Sequence, residues 1–225
     1  MQLYIEPPAT TEILMQRAQN LAGKTVGQVA ANLGYEVPET LRTKKGWQGQ
    51  FIEQCLGADS GNLSQPDFAH LGIELKTLPI DYQGKVLEST YVCVLNLNNH
   101  HLSKWEQSAV YRKLRCVLWV PIARNQKDSV IESTIATPFL WYPNTSQMTL
   151  LHQDWEAAMA LVSLGEVDKL NAKNGEILQV RPKAANSRAL TQAFDRDGKH
   201  IETLPRGFYL RSKFTQQILL DNLKV

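Results

Sequence analysis

The chain has 225 residues, of which 43% are apolar and 20% are charged, and its formal net charge at pH 7 is only +2. These values are typical of a globular chain that forms one domain, or one domain of two lobes, and they exclude disordered and fibrous chains. The longest apolar run, Cys116 to Ala123, has only the length of a strand, so we expect no membrane-spanning helix.

The charges are distributed unevenly along the chain. Residues 169–225 contain 11 lysines and arginines against 5 acidic residues, whereas residues 1–168 contain 13 basic and 17 acidic residues. A basic C-terminal part joined to a more acidic core suggests a polyanionic partner. The alternative is a solvated basic face without a partner.

The N-terminus and the cysteines indicate the compartment. The first residues contain neither a basic start nor an apolar core, so we expect no signal peptide and a cytoplasmic protein. Cys55, Cys93 and Cys116 are widely spaced and each lies beside apolar residues, which predicts buried thiols in a reducing compartment. The adjacent His100 and His101 predict a solvated loop.

The N-terminal part of the chain predicts three helices. Thr10 or Thr11 can cap the first and Thr25 opens the second, so that two short helices form a small helical lobe. The third helix is predicted from Gly46 to Gly57. Its inward-facing residues are expected to be Trp47, Phe51, Cys55 and Leu56.

The middle of the chain predicts a sheet. The alternating run from Gly72 to Leu78 predicts a strand, and Tyr91 to Leu95 is so apolar that a central strand is expected. Two more strands are predicted, at Cys116 to Ala123 and at Val130 to Trp141, the second of them interrupted at Pro138.

The remaining elements complete a mixed pattern. They are a helix that Ser103 caps and that carries Lys113, a helix from Gln147 to Leu164, a strand from Glu176 to Val180, a short helix from Asn186 to Phe194, a strand at Phe208 to Arg211 and a final helix from Ser212. Helices and strands mixed around a central sheet predict an α/β or α+β architecture.

The stretch from Pro66 to Lys76 carries the candidate chemistry. Residues two apart on a strand share a face, so Glu74 and Lys76 are expected to point the same way. Together with Asp67 they supply two carboxylates and an ammonium, which suit a hard cation. Such a set serves phosphodiester hydrolysis, in which carboxylates hold Mg²⁺ and a lysine steadies the developing charge.

The acidic pattern by itself is a weak signal, and its surroundings give it weight. Glu53, on the preceding helix, is a plausible third carboxylate, with an exposed helix glutamate as the open alternative. The sequence contains no Gly-x-x-x-x-Gly-Lys-Ser/Thr loop and no Gly-x-Ser-x-Gly elbow, so no ATP site and no serine nucleophile of that type are indicated.

Five blocks of sequence extend the pattern over most of the chain, from about residue 11 to about residue 220. They are Lys45-Gly46-Trp47-x-Gly49-x-x-x-Glu53, Asp67-Phe68-x-x-Leu71-Gly72-x-Glu74-Leu75-Lys76-Thr77, Val117-Leu118-Trp119-x-Pro121, Arg181-Pro182-Lys183-Ala184-Ala185-Asn186 and Leu204-Pro205-Arg206-Gly207-Phe208-Tyr209-Leu210. In this order they resemble the MutH family, the nicking endonucleases of bacterial DNA mismatch repair. The resemblance implies a restriction-endonuclease-like fold, with a central mixed sheet flanked by helices.

The resemblance also implies an organisation and a reaction. Two lobes would form a DNA cleft, an N-terminal catalytic lobe to about residue 125 and a C-terminal DNA-reading lobe at about 126–225. The reaction would be Mg²⁺-dependent nicking of the unmethylated strand 5′ to the G of a hemimethylated GATC site, with Mn²⁺ able to substitute. Asp67, Glu74 and the backbone carbonyl of Leu75 would be metal ligands, and Lys76 the catalytic lysine.

Further residues take roles by the same resemblance. Glu53 would be an additional active-site carboxylate, and Lys113 its basic companion near the scissile phosphate. Arg181 and Lys183 would read bases or phosphates, and Tyr209 would sense adenine methylation. The residues expected on DNA are Lys45, Arg181, Lys183 and Tyr209.

The partners implied are double-stranded DNA and MutL, which acts after MutS has recognised a mismatch, and the protein is expected to be a monomer. One active site per chain suits a nickase. Two alternatives stay open: a type II restriction endonuclease that cuts both strands at GATC, and a catalytically silent DNA-binding module of the same fold. The intact Asp67, Glu74 and Lys76 set argues against the silent module.

Overall fold

A computed structural model of the chain describes residues 5–37, 46–59, 64–98, 104–125, 127–183 and 189–222. The helices are α1 (Thr11–Gln19), α2 (Val26–Asn32), α3 (Trp47–Leu56), α4 (Ala109–Leu114), α5 (Thr145–Ser163) and α6 (Ser212–Asn222). The strands are β1 (Glu74–Ile80), β2 (Thr90–Leu95), β3 (Val117–Ala123), β4 (Thr134–Ile135), β5 (Phe139–Trp141), β6 (Leu178–Pro182), β7 (Thr191–Phe194), β8 (His200–Thr203) and β9 (Arg206–Leu210).

The chain folds into two compact units, each assembled from separate stretches of sequence. Unit 1 comprises Met1–Leu87, Cys116–Tyr142 and Asn222–Val225, and unit 2 comprises Glu88–Arg115 and Pro143–Asp221. We expected one boundary between two lobes near residue 125. The two units are instead interleaved along the sequence. The physical reason is that β3 hydrogen-bonds to β1, which places residues after 115 in the unit that β1 belongs to.

The sheet of unit 1 is mixed. In the part of the chain that the structure describes, its strand order is β1-β3-β4, and β5 also pairs with β3. β1 and β3 run parallel, whereas β4 and β5 run antiparallel to β3. Every residue of β3 is buried, as its continuous apolar run predicts. The region predicted as one interrupted strand, residues 130–141, contains β4 and β5 after a short 3₁₀ helix.

The N-terminal helices begin where the sequence predicts. The Thr10 hydroxyl accepts a hydrogen bond from the Ile13 N–H at 3.4 Å, and Thr25 forms a capping box with Gln28. The expected separate helical lobe is wrong, because α1 and α2 contribute to the same apolar core as the sheet. That core contains Leu14, Val26, Phe51, Leu75 and Leu118, among others.

Unit 2 contains a smaller antiparallel sheet. Among the described residues its strand order is β2-β9-β6, and β7 and β8 form a separate hairpin. The prediction that β2 is central is wrong: β2 lies at the edge of this sheet, and Val94 is 59% exposed. The long helix α5 buries one apolar face, as predicted, with Leu151, Trp155, Ala158, Met159 and Val162.

Other predicted features differ in detail. The short helix expected at Asn186–Phe194 is wrong for its described part, because Thr191–Phe194 is a strand paired with β8. The cap Ser103 and the histidines His100 and His101 lie outside the described residues. The described helix α4 begins after Ser108, whose hydroxyl accepts from the Tyr111 N–H at 3.0 Å.

The cysteines and the helices agree with the remaining expectations. Cys55, Cys93 and Cys116 are buried thiols that form no disulfide, as predicted. Among the helices that the structure describes, none has both the length and the apolar character that a membrane span requires.

Candidate active site

Glu74 and Lys76 lie on one face of β1, as their spacing predicts. The Lys76 ammonium donates a hydrogen bond to Glu74 Oε1. The Glu74 side chain is only 1% exposed and that of Lys76 16% exposed. A carboxylate this deeply buried requires a cationic or hydrogen-bonding partner, and the lysine two residues later supplies one.

A tight turn brings Asp67 to the same strand. Phe68 and Ile73 pair as an isolated antiparallel bridge, with the Phe68 N–H donating to the Ile73 carbonyl at 2.9 Å. Gly72, at φ 68°, closes this turn in a conformation that glycine adopts without strain. Asp67 is 4% exposed, and its Oδ2 accepts a hydrogen bond from the Leu75 N–H at 2.8 Å.

The hydrogen bonds of β1 define the edge on which a cation could bind. The Glu74 N–H donates to the Cys116 carbonyl at 3.1 Å, so the peptide groups of Glu74 face β3. The N–H and C=O of one strand residue point to the same edge, and successive residues alternate between edges. The Leu75 carbonyl therefore lies on the same edge of β1 as its N–H, where the Asp67 carboxylate is bound.

The carboxylates determine the charge of Lys76. Burial alone would lower the pKa of Lys76, but the nearby charges of Glu74, Asp67 and Glu53 outweigh it, and the pKa is raised above its ordinary value. Lys76 is therefore an ammonium at neutral pH in this arrangement. The same effect shows that Glu53, half-buried on α3, belongs to the electrostatic environment of the cluster.

Buried apolar side chains of β3 lie beside the cluster. On β3, Val117 lies opposite Glu74 and Trp119 opposite Lys76, and both side chains are fully buried. Charges in such a setting interact more strongly than charges in water. The parallel pairing of β1 with an all-apolar strand thus places a low-dielectric surface along one side of the charged residues.

The donor set fits a hard divalent cation with few protein ligands. Asp67 and Glu74 supply carboxylate oxygens and Leu75 a peptide carbonyl, which are the ligand types that Mg²⁺ prefers. Among the described residues, no group of three or more His, Cys, Asp or Glu side chains could hold a metal ion. Glu53 is therefore not placed as a third carboxylate ligand, and its role as an additional active-site carboxylate stays a prediction.

Two further predicted residues keep their roles as predictions. Lys113 is buried on α4 of unit 2, and its role beside Glu53 stays a prediction. Lys45 lies outside the described residues.

The predicted DNA-reading residues come together on one sheet of unit 2. Arg181 on β6 lies with its guanidinium carbon 5.6 Å from the ring centroid of Tyr209 on β9. Arg181 Nη1 also donates to the Ser89 hydroxyl at 2.7 Å. Burial raises the pKa of Tyr209, and Arg181 partly opposes this rise, so the phenol is neutral at physiological pH.

Tyr91 is a member of this group that the sequence did not single out. Its ring lies edge-on to that of Tyr209, with centroids 5.3 Å apart and planes at 64°. Lys183 Nζ lies 3.4 Å from the Tyr91 ring centroid. The sequence shows Tyr91 only as a tyrosine in an otherwise apolar run. The pairing of β2 with β9 is what brings it near Arg181 and Lys183.

The architecture and the two groups of residues define a class. A mixed sheet whose strand β1 carries Glu74 and Lys76 and binds Asp67 from the preceding turn, in a chain whose second sheet carries cations and tyrosines, is typical of a DNA endonuclease with a restriction-endonuclease-like fold.

Comparison with known proteins identifies the family. The profile described as "DNA mismatch repair enzyme MutH" matches residues 56–154. The DNA mismatch repair proteins MutH of Shewanella baltica (strain OS185) and Shewanella putrefaciens (strain CN-32 / ATCC BAA-453) are each 51% identical to this chain, over 96% of both chains. The chain therefore belongs to the MutH family of DNA mismatch repair endonucleases, and the resemblance seen in the sequence is confirmed.

Proposed function

We propose that this endonuclease is Mg²⁺-dependent and nicks the unmethylated strand 5′ to the G of hemimethylated GATC sites, in the cytoplasm and under activation by MutL. The observation that carries the proposal is the grouping of the buried Asp67 and Glu74 with the largely buried Lys76, on β1 and the turn that precedes it. Its oxygen donors fit Mg²⁺, and Mn²⁺, with similar ligand preferences, would substitute.

Asp67, Glu74 and the Leu75 carbonyl would hold the ion. When bound, Mg²⁺ polarises the scissile phosphate and lowers the pKa of water. The Lys76 ammonium, which lies on the same face of β1 as Glu74 and donates to Glu74 Oε1, would donate to a phosphate oxygen.

Lys76 would act as a positive donor, because the carboxylates keep it protonated. Its charge stabilises the negative charge that develops on the phosphoryl oxygens in the transition state. The buried neighbours Val117 and Trp119 strengthen this interaction by placing a low-dielectric surface beside it. Glu53, whose charge helps to raise the pKa of Lys76, would help to keep the Lys76 ammonium protonated near the phosphate. Lys113 is its proposed basic companion.

Unit 2 would supply the sequence preference. A guanidinium such as that of Arg181 can bond to guanine O6 and N7 together, and Lys183 can reach a base or a phosphate. The neutral Tyr209 is half-buried beside Arg181. The edge of its ring would contact adenine closely enough to distinguish a base with a methyl group from one without. Lys45 is proposed as a phosphate contact.

The decisive experiment uses a supercoiled plasmid with hemimethylated GATC sites, Mg²⁺ and purified protein, with and without MutL and MutS. Open-circular product cut only on the unmethylated strand supports the proposal, and stimulation by MutL supports the partner. Linear product would indicate a restriction endonuclease that cuts both strands. Retained binding without product would indicate a silent module.

Matched variants separate catalysis from binding. Asp67→Ala and Glu74→Ala should abolish nicking while a gel-shift assay still detects DNA binding. The exposed acid Glu36, also in unit 1, provides the control: Glu36→Gln should nick like the wild type. Nicking at the wild-type rate by either active-site variant would show that the ion is not held there. Sedimentation of the free and DNA-bound protein tests the proposed monomer.

A further inference from the structure

Gly207 occupies the centre of the sheet that carries the DNA-reading residues. It lies on β9, the middle strand, opposite Arg181 on β6 and Val94 on β2. Tyr209, two residues later, shares its face. Gly207 is thus placed at the base of the group formed by Arg181, Lys183, Tyr91 and Tyr209.

The space above Gly207 is filled by the tyrosines. A Cβ at this position would lie 2.9 Å from Tyr91 Cε2, 3.0 Å from the Cys93 carbonyl oxygen and 3.5 Å from Tyr209 Cε2. The first distance is shorter than real Cβ contacts show, and the second is tighter than most of them. Because Gly207 is not among the glycines with positive φ, its backbone does not require glycine. Glycine is needed because the rings of Tyr91 and Tyr209 approach this position closely.

The position of the Tyr91 ring determines two further contacts. Its centroid is 5.3 Å from that of Tyr209 in an edge-on arrangement, a geometry that aromatic pairs prefer. Its face receives Lys183 Nζ at 3.4 Å, which is a close cation–π contact. A side chain at residue 207 would have to displace this ring, and both contacts would change with it.

A bulge in β2 points to the same result. Tyr91 pairs with Tyr209 and Cys93 pairs with Phe208, so β2 has one residue more than β9 between these pairs. Bulges redirect side chains out of strict alternation. Here the extra residue, Val92, is buried, and Tyr91 is directed to the side of Gly207. Two independent backbone features, the bulge and the missing Cβ, therefore place one ring.

We propose that Gly207 is a positioning residue for sequence reading: its missing side chain fixes the tyrosine pair, and through it Lys183, in the arrangement that discriminates a GATC duplex. This inference rests on the proposed function. It assigns no contact with DNA to residue 207 itself, which acts through Tyr91 and Tyr209.

The test compares wild type, Gly207→Ala, Tyr91→Ala and the double variant. Fluorescence anisotropy measures binding to a hemimethylated GATC duplex and to a scrambled duplex, and NMR of labelled tyrosine rings reports ring positions in the free protein. In Gly207→Ala we expect shifted Tyr91 and Tyr209 resonances and a loss of GATC preference of about 5- to 30-fold, the range of aromatic and cation–π contacts. Binding to the scrambled duplex should change by no more than about twofold.

The double variant distinguishes positioning from general destabilisation. Once the Tyr91 ring is absent, only the tight approach to the Cys93 carbonyl oxygen is left, which a shift of a few tenths of an ångström relieves, so Gly207→Ala should add no more than about a twofold loss of preference to Tyr91→Ala. This comparison also holds if the single Gly207→Ala variant folds poorly. Gly49→Ala serves as the control: Gly49 lies on α3 in unit 1, it is not among the glycines with positive φ, and the nearest atom to an added Cβ, Thr77 Oγ1, lies at an ordinary contact distance of 3.7 Å.

Three results would overturn the inference: unshifted ring resonances, an intact GATC preference in Gly207→Ala, or an undiminished effect of Gly207→Ala in the Tyr91→Ala background. Failure of the proposed function looks different. In that case the wild type itself shows no preference for GATC, before any variant is considered.

Discussion

Asp67 has two roles that different substitutions separate. Its carboxylate is a proposed ligand of Mg²⁺, and its Oδ2 also accepts the Leu75 N–H at 2.8 Å in a buried setting. Asparagine keeps an oxygen that can accept this hydrogen bond but lacks the charge. Alanine lacks both. We expect both variants to lose nicking and only Asp67→Ala to lose substantial stability.

The magnitudes follow from the local contacts. Removing a charged acceptor from a buried N–H costs about 1.5–3 kcal/mol. For a chain of this size, this corresponds to a fall in the melting temperature of about 3–12 °C. In Asp67→Asn the hydrogen bond from the Leu75 N–H is weaker and the attraction to the Lys76 ammonium is lost. Reduced repulsion with the carboxylates of Glu74 and Glu53 offsets these losses, so the free energy of unfolding should stay within about 1 kcal/mol of the wild type.

Thermal unfolding with and without Mg²⁺ provides the assay. An ion that binds only the native protein stabilises it by about 2.7 kcal/mol at 100 times its dissociation constant. The wild type and Glu36→Gln should show such a stabilisation, and both Asp67 variants should lose it. The reasoning is refuted if Asp67→Ala proves as stable as Asp67→Asn, or if Asp67→Asn retains the full response to Mg²⁺.

Three further predictions concern other parts of the chain. Arg181→Ala should reduce discrimination at the guanine by about 1–3 kcal/mol. Ser89→Ala, which removes only the hydroxyl that accepts from the Arg181 guanidinium, should reduce this discrimination by about 0.5–1.5 kcal/mol. Binding titrations with substituted duplexes measure both losses. Asp154→Ala should lower the free energy of unfolding in urea by about 1.5–3 kcal/mol, because its carboxylate accepts the three backbone N–H groups of residues 176–178 at 2.8 Å each. Burial raises the pKa of the Cys55 thiol to about 12 from its ordinary 9.0. The contribution of the buried neutral thiol to stability is therefore complete below pH 9 and decreases above pH 9, by up to about 1.4 kcal/mol per pH unit. Comparing the unfolding of the wild type and Cys55→Ala between pH 8 and 11 measures this contribution.

Each of these has a contrary result. An equal loss of affinity for every duplex would make Arg181 a phosphate contact instead of a base reader. Asp154→Asn keeps one acceptor and should lie between wild type and Asp154→Ala; equal stability of all three would show that the N–H groups find other partners. Identical pH dependence of the wild type and Cys55→Ala would place the Cys55 thiol outside the buried core.

The helix caps and the chemistry of β1 could be predicted because both depend on neighbours in sequence. Thr10 and Thr25 cap their helices through residues three positions away. Glu74 and Lys76 share a face because strand side chains alternate. The pairing of strands was less accessible. The apolar run of β2 suggested a central strand, yet it lies at the edge of a second sheet, since apolar content reports burial and not which strand lies alongside.

The C-terminal region shows the same limit. Residues 191–194 have a composition compatible with a helix, but they pair with residues 200–203 across a turn, and long-range hydrogen bonds outweigh the local propensity. Tyr91 was recognised only as part of a strand. Its significance depends on Tyr209 and Lys183, which lie about a hundred residues further along the chain.

The sequence alone determined the reaction class, because the family's motifs are contiguous blocks and the active-site residues lie within a few positions of one another on one strand and its preceding turn. Only the tertiary structure decided which residues each side chain contacts. It showed that Asp67 also holds the Leu75 N–H, that two units are assembled from interleaved stretches, and that Gly207 has no room for a side chain. These are consequences of contacts between distant residues, which only the folded chain brings together.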